Sequence, residues 1–271
     1  MTDAAELWRR YTSYAPAALP RYLVDSVGYT TSRRSFPSGL VKYRLRNGAQ
    51  FFARPFTADR LIINELFATD GYVKLFDINP GDTVVDLGAH IGVFAVFAAR
   101  RAAGVRVYCY EPLPETYGLL ERNVRTNRLR KQVTMVRAAV SGTSGTLPLY
   151  FASGQGMGTL SRPGSTLLNR LEVASVTIPD IFATHRLPRI NFLKVDIESG
   201  EFDAFESLPR EYLARIDRIA MECHLAGPPS ERRPQRLEQI KEQLRSAGFE
   251  LHVAQGERPS LRQLYAWRPG A

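Results

Sequence analysis

The sequence predicts an α/β fold built on a doubly wound, mostly parallel sheet, and three observations carry that expectation. From residue 80 onward, short apolar runs alternate with amphipathic stretches of helical spacing, the pattern of a sheet covered on both faces. The first of these runs, VVDLGAHIG, leads into a turn with Gly88 and Gly92 four residues apart. The second ends in an acidic residue, Glu111, 23 residues after Gly88. With 44% hydrophobic residues in 271, the chain can bury a full core without disulfide or metal staples.

The elements follow in order. Residues 1–40 carry helix-compatible pieces broken by Pro16, Pro20 and Pro37. VKYRLRNGAQFFARP (41–55) reads as two short strands around Asn47-Gly48, a strong hairpin signal, and a helix follows from Asp59 to Gly71. Strands are expected at 83–88, 105–112, 133–141 and 192–198, with helices at 91–102, 114–128 and 200–208. Residues 146–151 and 173–180 look like added strands around the Gly/Ser-rich loop 153–165, which reads as a lid over the site or as an ordinary connection. RIAMECH (218–224), helix 231–246, FELHVA and QLYAWR complete the sheet. The division is an N-terminal extension, 1–75, packed on a main domain, 76–271.

Composition narrows the function. The net charge of +9 comes from arginines scattered along the chain rather than from a basic run, which argues against a nucleic-acid partner. Cys109 and Cys223 lie far apart in apolar runs and read as reduced core thiols. MTDAAELWRRYTSYAP has no apolar signal core and nowhere do eighteen apolar residues run together, so the expectation is a cytoplasmic protein with no membrane partner. The partner expected is a small-molecule acceptor, and a homodimer is left open.

The glycine turn lets the chain leave the strand tightly and lets a ligand approach the backbone at a helix N-terminus. A dinucleotide site needs GxGxxG, yet the middle positions here are Ala89 and His90. Asp86 would repel a pyrophosphate, whereas it suits a ligand bearing ammonium and sulfonium groups. Glu111 stands where a carboxylate accepts ribose hydroxyls. Asp86, Gly88, Ala89, His90, Gly92, Glu111, Pro112, Ala139 and Asp196 are therefore assigned to S-adenosylmethionine.

TVVDLGAHIGVFAVFAAR, YCYEPLPETYGLLERNVRTN, RAAVSGTSGTLPLYF and FLKVDIESGEFDAFESLP resemble the FkbM family of S-adenosylmethionine-dependent methyltransferases, as does the lead-in LRNGAQFFARPFTADRLIINELFATDGY. The resemblance runs from about residue 40 to the C-terminus. It implies a class I methyltransferase fold, Rossmann-like, with seven strands of which the last is antiparallel. The activity it implies is O-methylation of hydroxyl groups on polyketides, sugars and other natural products, with methylation of nitrogen in some similar enzymes. The pattern departs at Ser199, where the family motif DxEGxE has its glycine.

LKVDIESGE gathers Asp196, Glu198 and Glu201 within six residues. Strand alternation gives Lys194, Asp196 and Glu198 one direction, and Glu222 and His224 another pair on the neighbouring strand. All lie at carboxyl ends, where ligands bind in such sheets. An alcohol is a poor nucleophile and a general base adds roughly 10²- to 10⁴-fold, so Asp196, Glu198 and His224 are the catalytic candidates. The competing readings have Asp196 gripping the cofactor or pairing with Lys194, His224 as a satisfied surface histidine, and Glu201 favoured by a helix dipole. The donor types also suit a divalent metal, but no ligand spacing is diagnostic and no metal ligand is assigned. Tyr72 and Glu222 are placed on the acceptor side, with a core tyrosine as the alternative for Tyr72. The expected function is O-methylation of a small natural product, the alternative N-methylation of a peptide side chain or other small substrate. A cofactor-binding module without turnover and a dinucleotide oxidoreductase stand outside that class.

Overall fold

The computed structural model describes residues 23–25, 39–45, 47–55, 57–69, 71–151, 158–159, 169–256 and 258–270. The pieces expected before residue 39, apart from Leu23–Asp25, and most of the expected lid loop lie outside them. Strand β1 (Leu23–Asp25) and the hairpin β2 (Val41–Leu45) and β3 (Gln50–Ala53) form a small antiparallel sheet. Gly48, at φ 83, makes the tight turn that the Asn-Gly pair predicts. Helix α1 (Asp59–Thr69) follows, its Asp59 fully buried and bound to the Arg54 guanidinium at 2.8 and 3.0 Å.

The central region alternates β4 (Thr83–Leu87), α2 (Val93–Arg101), β5 (Arg106–Tyr110), α3 (Pro114–Thr126) and β6 (Val133–Val136). Next come β7 (Ala139–Val140), β8 (Gly145–Phe151), β9 (Gly158–Thr159) and β10 (Asn169–Val176), which form a second sheet in the order β7-β10-β8-β9. Helix α4 (Ile178–Thr184), β11 (Ile190–Val195), α5 (Glu201–Glu206), α6 (Arg210–Leu213), β12 (Ile216–His224), α7 (Arg233–Ser246), β13 (Glu250–Gln255) and β14 (Leu261–Trp267) complete the chain. The main sheet has seven strands in the order β13-β14-β12-β11-β4-β5-β6, and β14 runs antiparallel to both of its neighbours. This is the doubly wound class I methyltransferase arrangement.

Three expected elements change. The strand expected at 133–141 breaks after Val136, and Ala139–Val140 leaves the main sheet to pair with β10. Residues 177–184 are not strand: Thr177 accepts the Asp180 N–H while Asp180 accepts that of Thr177, a capping box that starts α4. The run expected as strand to Glu198 ends at Val195, because Glu198 at φ 51 and Ser199 at φ 83 turn the chain into α5.

Alternate strand residues serve two cores. Val84, Phe192, Ala220 and Tyr265 face a cluster shared with the hairpin, α1 and α2. Val85, Leu193, Ile219 and Leu264 face a cluster shared with α4, α5 and α7. The hairpin is also joined to α3 by two asparagines one helical turn apart. Asn127 takes the Gln50 N–H at 2.9 Å and donates to its carbonyl at 2.6 Å. Asn123 does the same to Phe52 at 2.6 and 3.0 Å, and also donates to the Ile91 carbonyl at 2.8 Å. Four helical residues advance about 6 Å and two strand residues about 6.7 Å, so the side-chain amides continue the ladder of β3.

Asn123 is fully buried, so Asn123→Leu strands three backbone groups at roughly 1–3 kcal/mol each. Urea denaturation is expected to show a loss of about 3 kcal/mol or more; a loss below about 1 kcal/mol would remove this amide from the hairpin lock. Ser199 adopts a left-handed backbone where the resembled motif has glycine. Ser199→Gly is therefore expected to raise stability by about 1 kcal/mol, read as a higher urea midpoint.

Candidate active site

A cavity of about 640 Å³, its mouth included, opens at the carboxyl ends of β4 and β11. Of the positions expected at the cofactor, Gly88, His90, Glu111, Pro112, Ala139 and Asp196 line it, and Glu198 joins them. Ile62, Tyr110, Val140 and Leu149 supply apolar wall that sequence reasoning missed. Tyr110 is the residue before Glu111, and its place was legible; Leu149 comes from the second sheet, whose approach to the site no local pattern signals.

Ala89, Gly92 and Asp86 do not line the cavity. Gly88 and Gly92 hold φ 77 and 83, and a side chain on Gly88 would place Cβ 1.8 Å from the Asp196 carbonyl oxygen. The turn therefore passes directly against the end of β11. Most of its N–H groups are spent within the protein: Gly88 and Ala89 donate to the Tyr110 carbonyl at 3.1 and 2.9 Å, and Gly92 to that of Ala89 at 2.8 Å. His90 donates its N–H to Glu111 Oε2 at 3.0 Å. A phosphate cradle needs such groups free.

Glu111 also accepts the Leu113 N–H at 2.9 Å, so both its oxygens are fixed by backbone while it faces the cavity. Burial pushes its carboxyl up to about 7, against the pull of these two N–H groups. His90 is held down to about 4 by burial and is neutral; its Nδ1 is buried without a hydrogen-bond partner.

Beneath the turn lies Lys194, almost wholly buried. Its Nζ donates to the Gly88 and Leu87 carbonyls at 2.7 and 3.3 Å, and lies 3.1 Å from Asp86 Oδ1 and 3.7 Å from Asp196 Oδ2. Burial alone would lower the ammonium, but Asp86 and Asp196 more than offset it and hold Lys194 charged. Asp86, expected at the ammonium and sulfonium groups of a ligand, is fully buried and faces this lysine instead.

Asp196, Glu198, Glu222 and His224 do converge, but not through strand alternation, because Glu198 lies in the turn after β11. His224 Nε2 is 4.0 Å from Asp196 Oδ1, 3.5 Å from Glu198 Oε2 and 3.6 Å from Glu222 Oε1. Tyr72 donates its hydroxyl to Asp196 Oδ2 at 2.8 Å, and its ring packs edge-on against Phe94, so it is both a core tyrosine and a partner of the cluster. Glu201 stands in the first turn of α5, as its helix-dipole reading expects, and in addition holds the histidine. It is fully buried, and its Oε1 accepts the His224 N–H at 2.7 Å and lies 3.2 Å from His224 Nδ1. Only the fold brings β12 against the start of α5, so no sequence signal pairs these two residues.

The cluster separates its charges. Burial pushes the Asp196 carboxyl up, yet Lys194 and His224 outweigh it and leave Asp196 below the usual carboxylate range. Burial and the Asp196 charge raise Glu198, and push Glu222 up to about 8. Burial alone would lower His224, but the Glu201 hydrogen bond and the surrounding carboxylates push it up to about 10. At neutral pH it is an imidazolium, with no lone pair to act as the base expected of it. No helix among the described residues is long and apolar enough to cross a membrane, and both cysteines are buried and free.

The Methyltransferase FkbM domain family matches residues 86–251. The chain is similar to Methyltransferase sdnD of Sordaria araneosa, 28% identical over 221 residues that cover 71% of this chain and 82% of that protein. It is also similar to 31-O-demethyl-FK506 methyltransferase FkbM of Streptomyces tacrolimicus, 25% identical over 67% of this chain and 80% of the relative. The crystal structure of Methyltransferase FkbM from Methylobacillus flagellatus KT aligns with a TM-score of 0.49 and 16% identity, over 71% of this chain and 45% of that one. The matched span takes in the glycine turn, Glu111 and the whole carboxylate cluster, and the chain belongs to the FkbM-domain family of S-adenosylmethionine-dependent methyltransferases.

Proposed function

We propose that the protein methylates a hydroxyl oxygen of a small natural product, polyketide or sugar in kind. The observation that carries this reading is the carboxylate cluster opening on the cofactor cavity through Asp196 and Glu198, which line it. A relative named for a 31-O-demethyl acceptor supports oxygen as the atom methylated.

The cavity suits S-adenosylmethionine. Glu111 is fixed by two backbone donors and faces the cavity, placed to accept the ribose hydroxyls. Ala139, Val140 and Leu149 offer an apolar wall to the base. Gly88, Ala89, His90 and Gly92 spend their N–H groups within the protein rather than on a pyrophosphate, and carboxylates stand where a cationic end belongs. Bound there, S-adenosylmethionine supplies an electrophilic methyl group and leaves as the neutral thioether.

The protein's own part is to hold the acceptor and take its proton. Holding a nucleophile in line against its target is worth up to about 7–11 kcal/mol in favourable cases. Asp196 is engaged by Tyr72 and Lys194 and serves as a fixed negative charge. His224 is already protonated. That leaves Glu198, which lines the cavity, and Glu222, which accepts the hydroxyl proton only in its ionised form and so increasingly as pH approaches about 8.

Two outcomes test the reading. Titration calorimetry is expected to show S-adenosylmethionine binding tightening as pH rises through about 7, because only ionised Glu111 accepts both ribose hydroxyls well. Glu111→Gln flattens that profile and weakens binding roughly 10- to 100-fold, matching about 1.5–3 kcal/mol for a hydrogen bond to a charged group; an unchanged profile removes Glu111 from the ribose. With labelled cofactor and a panel of hydroxylated and amine acceptors, an O-methyl product is expected. Glu222→Gln is expected to lower kcat roughly 10²- to 10⁴-fold with cofactor affinity little changed. Product carrying the methyl on nitrogen alone would overturn the oxygen reading.

A further inference from the structure

Asp196, Glu198 and His224 each offer one ligand atom, and the three atoms lie within 4.8 Å of one another. Their spacing is peculiar for a hydrogen-bonded cluster. His224 Nε2 is surrounded at 4.0, 3.5 and 3.6 Å by oxygens of Asp196, Glu198 and Glu222, all beyond a well-formed N–H···O bond. Donor atoms that share a cation are spaced in this way. Two ligands each about 2.1 Å from an octahedral ion lie roughly 3.0 Å apart at right angles and about 4.2 Å apart across it.

The opposite edge of the imidazole is already fixed. Glu201 Oε1 holds the His224 main-chain N–H at 2.7 Å and faces Nδ1 at 3.2 Å, leaving Nε2 turned toward the carboxylates. Metal-bound histidines are held in this manner, with the second ring nitrogen tied to a carboxylate that sets the tautomer. Charge points the same way. Four carboxylates, from Asp196, Glu198, Glu201 and Glu222, surround one imidazole, while Lys194 lies 3.7 Å from Asp196 and divides its charge with Asp86. The buried Glu201 Oε2 has no hydrogen-bond partner.

We propose that Asp196, Glu198 and His224 form a divalent-cation site at the acceptor end of the cavity, with Glu201 as the positioning residue for the imidazole. Mixed carboxylate and imidazole donors suit manganese or zinc better than an all-oxygen ion. Uptake replaces the Nε2 proton, which passes to solvent. On the methyl-transfer reading, an ion there lowers the pKa of the acceptor hydroxyl and leaves Glu222 to take its proton; binding of the ion itself does not depend on that reading.

The test is titration of Mn²⁺ into the full chain without S-adenosylmethionine or acceptor, followed by electron paramagnetic resonance. One ion per chain is expected, with a nitrogen coupling from imidazole in the pulsed spectrum. His224→Ala is expected to remove that coupling. Glu198→Gln, at a half-exposed position that the fold tolerates, weakens binding at least tenfold, and Glu201→Gln roughly 10- to 100-fold with the coupling retained. Absence of bound Mn²⁺ at millimolar ion, or binding that Glu198→Gln and His224→Ala leave unchanged, overturns the proposal. Because no substrate is present, that failure is separate from failure of methyl transfer.

Discussion

The buried ammonium of Lys194 is the constraint on which the site depends. One nitrogen gathers the carbonyls of Leu87 and Gly88 and the carboxylates of Asp86 and Asp196, and so ties the ends of the two central strands. A charge in this position is tolerable only because it is paired and hydrogen-bonded; removing one partner would leave the rest uncompensated, a loss of about 3–5 kcal/mol in comparable cases. The arrangement also explains why Gly88 must be glycine, since the Asp196 carbonyl lies where its Cβ would be. Cofactor turn and carboxylate cluster are thus two sides of one junction.

From that junction the charges are sorted by environment rather than by residue type. Asp196, between Lys194 and His224, stays ionised. Glu198 and Glu222, half open and near Asp196, hold protons more readily. His224, gripped by Glu201, carries the positive charge. The division gives one fixed anion, two carboxylates able to exchange protons and one cation, a set suited to withdrawing a proton beside an electrophilic methyl group. Any ion that replaces the His224 proton would strengthen the same polarity.

The N-terminal hairpin enters this scheme as part of the body. Asn123 and Asn127 extend its ladder onto α3, and Asn123 also secures the Ile91 carbonyl of the turn. Arg54, at the end of the hairpin, binds Asp59 and lies 3.3 Å from His90 Nε2. The hairpin therefore supports the cofactor turn from outside, through side-chain amides that substitute for a neighbouring strand.

Local periodicity and spacing determined much by themselves. The alternation of apolar runs and helices, the Asn-Gly hairpin, the glycine turn and the place of Glu111 were readable because each is a short-range pattern with one backbone solution. The sequence also singled out Asp196, Glu198, Glu222 and His224 as a group. Only the tertiary structure decided what each does. Asp86 turned inward because a buried lysine on the adjacent strand, far away in sequence, needed its charge. Glu198 reached the cluster through a left-handed turn rather than strand alternation, and Glu201, in the first turn of α5 as expected, also holds His224. These outcomes depend on burial and on which carboxylate meets which cation, and such pairings are set by the packing of β4, β11 and β12, not by spacing along the chain.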